Sequence, residues 1–150
     1  MTQLSNSPQA ANAPGLVDTL LTNAGATWAV VGLTDTPGRV AKSIAAFLQS
    51  ELGMDVIPVN RRREPVNGRR AYGRLAEIPH SIDVVHVFVN GDAAVGVVDE
   101  AIRTGVKNLW FQIGVDSPAA VDKALAAGLN VVTDTCPSIE GRMRSLGWRM

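Results

Sequence analysis

The stretch Gly32-Leu33-Thr34-Asp35-Thr36-Pro37-Gly38-Arg39 gathers the residue types that recognise an anion. Gly32 lets a ligand or a backbone approach closely, and Thr34 and Thr36 offer hydroxyls beside the carboxylate of Asp35. A helix starting near Pro37 presents free N–H groups, and Arg39 adds a fixed positive charge. These parts together suit a pyrophosphate, although the same residues also make an ordinary strand-to-helix loop capped by Asp or Thr. Spacing argues against two nucleotide motifs. The phosphate loop G-x-x-x-x-G-K-S/T fails because five residues separate Gly32 from Gly38 and Arg39-Val40 follows, so ATP hydrolysis is not expected. The dinucleotide fingerprint G-x-G-x-x-G is absent, and the next apolar run ends in Asn60 where an acidic residue would hold a ribose hydroxyl, which disfavours NAD.

Arg61-Arg62-Arg63 follows Asn60 directly, at the head of a polar stretch to Pro79 that holds six arginines. Guanidiniums there could bind a terminal phosphate on an adenosine ribose, a feature shared by NADP and coenzyme A, while any single one of them more often serves as a solvated basic turn. The remaining reactive side chains are expected to be structural. His86 lies inside an apolar run and His80 before it, without a Cys-His-acid pattern to mark either as a base or a ligand. Cys136 is the only cysteine, and a lone cysteine most often behaves as a small buried hydrophobe. Asp35, Asp134 and Glu140 stand near expected strand ends, but spacing alone does not pair them, so no catalytic residue is assigned. No cluster has metal-ligand spacing, and no metal is expected.

The elements that would position these residues alternate. Leu16, Val17, Leu20 and Leu21 fall at helical spacing before Gly25. Trp28 to Val31 is an uninterrupted apolar run closed by Gly32, the pattern of a strand buried on both faces. Pro37 to Glu51 predicts a helix, Met54 to Val59 a second strand and Asp83 to Val89 a third. Arg61 to Pro79, with Pro65 and the turn signal Asn67-Gly68, is expected to be a long surface connection. Asp92 to Thr104 and Ser117 to Ala127 predict helices, Asn108 to Ile113 and Asn130 to Thr133 strands, and Ser138 to Leu146 a last helix. Trp110 and Phe111 alternate faces of one strand, so one of them is expected to fill the core; Trp148, near the end, covers a helix end or a partner. Strands alternating with helices predict a doubly wound α/β fold: a single parallel sheet of about five strands with helices on both faces, and ligands beyond the carboxyl ends of the strands.

With 150 residues, 46% of them hydrophobic, the chain can bury one sizeable core. Residues 1–13 are expected to form a flexible leader and residues 14–150 the domain. Fourteen basic side chains balance fourteen acidic ones, so no global field recruits nucleic acid or a membrane surface. No run is long enough to cross a bilayer, and with one cysteine the cytoplasm is the expected compartment.

Several segments in order carry a family resemblance: AVVGLT from Ala29, RVA from Arg39, IPVN from Ile57, AYGRLAEIP from Ala71, DVVHVF from Asp83, LWFQIGV from Leu109, and AGLNVVTDTCPSIE ending at Glu140. From about Trp28 to Glu140 the chain resembles the small bacterial CoA-binding proteins, whose Rossmann-like domain is similar to the CoA-binding domain of succinyl-CoA synthetase alpha subunits. The resemblance implies coenzyme A across the strand ends, with Gly32, Thr34, Asp35 and Arg39 near phosphates. It places Val59, Asn60 and Arg61 near the adenosine and Phe88, Gln112 and Gly114 along the cleft, where the Cys136 thiol would face that of the coenzyme. The chain departs from the family pattern at Arg61, Val89 and Thr135. The ligase relatives add a domain with a phosphorylatable histidine that this length does not accommodate, so ligase activity is not implied. The function expected is binding of coenzyme A or an acyl-CoA without catalysis. The alternatives are an NADP-binding reductase fragment and an interaction module that has kept the fold and lost the ligand, with no protein partner specified.

Overall fold

The computed structural model describes residues 10–36 and 40–144. Over these residues the chain runs α1 (Leu16–Leu21), β1 (Thr27–Val31), α2 (Val40–Ser50), β2 (Asp55–Val59), β3 (Val84–Val87), α3 (Gly91–Thr104), β4 (Asn108–Phe111), α4 (Pro118–Ala126), β5 (Asn130–Val132) and α5 (Pro137–Met143). The five strands form one sheet in the order β2-β1-β3-β4-β5, and every pairing is parallel. This is the doubly wound α/β fold that the alternation predicts.

Each strand reads as continuous hydrophobe because both of its faces are covered. In β1 every residue is buried, with Trp28 and Val30 in one core beside Ile44, Phe47 and Leu48 of α2, and Ala29 and Val31 in the other beside Ala94 and Val98 of α3. Trp110 and Phe111 also split between the two cores and both are buried, which corrects the expectation that only one would be. In a two-sided sheet neither face of a strand meets water, so alternation no longer sorts inside from outside.

The segment from Arg61 to Pro79 is more than a surface connection. Tyr72 adds a parallel bridge to Val59, the last residue of β2, a 3₁₀ turn spans Leu75–Glu77, and Val66, Ala71, Leu75 and Ile78 are buried. Four well-separated apolar residues anchor an otherwise polar loop, a pattern that no helix or strand period reveals. At the other end, Asn12 lies within the expected leader but is tied to β5: its N–H donates to the carbonyl of Val131 at 2.7 Å, and its side chain exchanges hydrogen bonds with Thr133. Trp148 lies outside the described residues.

Candidate cleft at the strand ends

The winding direction reverses between β1 and β3, so the loops that follow these two strands diverge and leave a crevice. Gly32 closes β1 there with a φ of +97°, a left-handed conformation that disfavours any side chain. A Cβ on Gly32 would lie 3.1 Å from the Cβ of Phe88 and 3.3 Å from Cγ1 of Val89. The glycine therefore serves both the turn and the close approach of the β3 loop.

Two cavities flank this contact. The first, of about 540 Å³, lies over the ends of β1 and β2 and is lined by Gly32, Thr34, Thr36, Val59, Asn60, Arg61, Arg62 and Glu64, with Val89 and Ala93 closing the α3 side. The second, of about 520 Å³, lies over the ends of β3 and β4 and the start of α5, and includes Phe88, Gln112, Gly114 and Cys136. Of the sequence-derived candidates, Gly32, Thr34, Val59, Asn60 and Arg61 thus come together in one cavity and Phe88, Gln112 and Gly114 in the other. Asp35 joins neither. It faces a shallow neighbouring hollow and pairs with Lys42 at 2.7 Å. Arg39 lies outside the described residues.

Asn60 is a tie between loops. Its Nδ2 donates to the carbonyls of Leu33 and Glu64 at 3.0 Å each, and its Oδ1 accepts from the Glu64 N–H at 2.9 Å. Both amide donors are thereby spent inside the protein, which makes this side chain a scaffold for the cavity wall. The arginines that follow divide sharply. Arg63 donates two hydrogen bonds to Glu77, at 3.1 and 2.6 Å, with its guanidinium over Gly73, where a Cβ would come within 3.0 Å. The Glu77 carboxyl is held below its ordinary pKa by that Arg63 bond and by the Gly73 N–H. Arg69 pairs with Asp55, Arg70 stacks on Tyr72 and Arg74 faces Glu100. Among the described residues Arg61 and Arg62 have no acidic partner, and both line the first cavity.

The floor under the second cavity is built differently. His86 is fully buried in β3, with its Nε2 2.8 Å from Oε1 of Gln112 and its ring edge-on to Trp28. With the amide oxygen as acceptor, this contact is a hydrogen bond in the tautomer that carries its proton on Nε2. Burial pushes the His86 pKa down to about 4 against the small opposing effect of Gln112, and its Nδ1 has no partner. His86 is thus a member of the core that covers this face of β3. Cys136 is also buried, with its Sγ 3.3 Å from Oγ of Ser138. Burial works to raise the thiol pKa, but hydrogen bonds to Ser138 and Gln112 and to the backbone at Ile139 and Ser138 outweigh it and hold the thiol below its ordinary value. Among the described residues no group of three or more His, Cys, Asp or Glu side chains is arranged to hold a metal ion, and no helix is long and apolar enough to cross a membrane.

Sequence inspection missed the apolar rim of the second cavity, Val40, Ile113 and Ile139. The signal was faint: exposed aliphatic residues next to strand ends and at the starts of two helices.

Comparison with known proteins agrees with this fold. Residues 26–142 match the family model of the CoA binding domain. The protein YneT of Bacillus subtilis is 33% identical over 108 residues, which cover 72% of this chain and 79% of YneT. The alpha subunit of ADP-forming acetate–CoA ligase II of Pyrococcus furiosus is 31% identical over 81 residues, 54% of this chain but only 18% of that subunit. Among solved structures, a hypothetical protein from Pyrococcus horikoshii is 32% identical and superposes with a TM-score of 0.81, covering 91% of this chain and 97% of that one.

Proposed function

The chain belongs to the CoA-binding domain family, and from that premise we propose that it binds coenzyme A or an acyl-CoA across the two cavities without a reaction of its own. The pyrophosphate lies on the loop from Gly32 to Arg39, where the glycine backbone and the Thr34 and Thr36 hydroxyls receive it. The adenosine rests on Val59 and on the wall held by Asn60. The pantetheine arm passes Phe88 toward Gln112 and Gly114. One observation carries the reading most strongly: Arg61 and Arg62 face the first cavity without acidic partners, whereas every other arginine from Arg63 to Arg74 is engaged by a carboxylate or a ring. Two unpaired guanidiniums beside an adenosine subsite suit a ribose phosphate. The cytoplasm, where coenzyme A thiols stay reduced, is the compartment we assign.

Titration calorimetry with coenzyme A, dephospho-coenzyme A, NADP and NAD tests this. Coenzyme A is expected to bind, dephospho-coenzyme A more weakly, and NAD not at all. Binding of NADP in preference to coenzyme A would replace the reading with the dinucleotide one, and no binding of any of them would leave the fold without its ligand.

A further inference from the structure

The second cavity, about as large as the first, differs from it in charge. None of its described lining residues is charged. Several of its polar groups are engaged within the protein: Gln112 Oε1 faces His86, Asn90 Oδ1 accepts from the Asp116 N–H at 2.8 Å, Ser43 Oγ donates to the Val40 carbonyl at 3.0 Å, and Ser138 Oγ lies against Cys136, although Ser43 and Asn90 themselves are exposed. Val40, Ile113 and Ile139 are 59%, 49% and 47% exposed, three of the five large apolar side chains that the described surface exposes. Single exposed aliphatics are ordinary, but three from different elements converging on one mouth mark a binding surface.

We propose that this cavity is an acyl subsite, so that the preferred ligand is a coenzyme A thioester with an uncharged, apolar acyl chain lying against Val40, Ile113 and Ile139. The proposal rests on the coenzyme reading above and names the substrate class of that same cleft. Continuity supports it: Phe88 lines the second cavity, Val89 lines the first, and Gly32 lies against both, so a pantetheine arm crossing at Gly32 delivers its sulfur end into the apolar space. A carboxylate-bearing acyl group is disfavoured, because no described lining residue would pair with the charge it buries.

Calorimetry of the full chain with coenzyme A, butyryl-CoA, hexanoyl-CoA and succinyl-CoA tests the subsite. Affinity is expected to rise by up to about fourfold per methylene that enters the cavity, with succinyl-CoA no tighter than coenzyme A. Ile139→Asp should erase the gain of hexanoyl-CoA while free coenzyme A binds as before. Val40→Ser repeats the test on α2, should the first variant lose its native circular dichroism. Hexanoyl-CoA binding no tighter than coenzyme A, or a gain that survives both substitutions, would overturn the acyl subsite and leave the coenzyme reading standing. Failure of coenzyme A and every thioester to bind would overturn both.

Discussion

The two halves of the cleft are held by different forces. On the β1–β2 side, hydrogen bonds and charges set the wall: Asn60 ties two loops, Arg63 is anchored to Glu77, and Arg61 and Arg62 line the cavity without acidic partners. On the β3–β5 side, packing sets it: Trp28, His86, Phe88 and Trp110 make a ring cluster with centroids 4.5 to 6.3 Å apart, under a rim of aliphatic side chains. A wall held by directional bonds can leave charged groups unpaired at chosen places, because the surrounding pairs fix the loop. A packed wall has no such spare charge and selects by volume and polarity. The prediction is that the first half responds to salt and to charge substitutions and the second to pH and to hydrocarbon.

The largest expected effect comes from joining the halves by force. Gly32→Val adds strain at a φ of +97° and drives a side chain into Phe88 and Val89, so we expect a loss of about 3 to 5 kcal/mol in urea unfolding and no measurable coenzyme A binding. A folded Gly32→Val that binds normally would show that the two cavities do not communicate there.

Asn60→Ala strips partners from the Leu33 and Glu64 carbonyls and the Glu64 N–H, and should cost about 2 to 4 kcal/mol. Its signature separates the halves, with affinity lost for dephospho-coenzyme A as well as for coenzyme A because the shared wall loosens. Unchanged stability would mean that the β1–β2 wall is held by packing after all.

For the second half, acid is the probe. His86 has a folded-state pKa of about 4, below its ordinary 6.5, so between these values the unfolded chain binds the proton that the folded chain refuses. Its contribution is complete above pH 6.5 and is lost as pH falls toward 4, by up to roughly 3 kcal/mol. Glu77, lowered as well, acts in the same direction, so the comparison is with His86→Leu, whose denaturant midpoints should fall less steeply over that window. Equal slopes for parent and variant would remove His86 as the cause.

The smallest effect sharpens the first half from within. Replacing Arg61 and Arg62 by Ala should abolish the preference for coenzyme A over dephospho-coenzyme A, about tenfold at low salt and less at high salt, since both side chains meet water. Arg63→Ala should keep that preference, because its guanidinium is committed to Glu77. If Arg63→Ala loses the preference and the double variant keeps it, the assignment of free and engaged arginines is reversed.

Most of the fold was legible in sequence. Strands buried on both faces read as apolar runs, and each helix carries its stripe within a few turns, so all five strands could be placed to within two residues of their observed ends. The joint at Gly32 was legible too, since a glycine directly after an apolar run allows the close approach seen there. Within the site, Asn60 and Arg61 to Arg63 announced a polar corner, but not which would be spent on the protein. Cys136 was expected to be a small buried hydrophobe and is buried; His86 was expected only to sit in an apolar strand, and its bond to Gln112 was not visible.

Local periodicity and turn chemistry are encoded within a few neighbouring residues, and they determined the order of elements, the parallel sheet and the loops in which to look. Partnerships were decided by tertiary structure alone. Arg63 meets Glu77 across 14 residues, and His86 meets Gln112 across 26, because β3 and β4 lie side by side in register. The rim of Val40, Ile113 and Ile139 likewise exists only once α2, β4 and α5 are brought to one edge of the sheet. Strand order sets these distances, and strand order follows from how both faces are covered at once, a property of the whole chain and of no single segment.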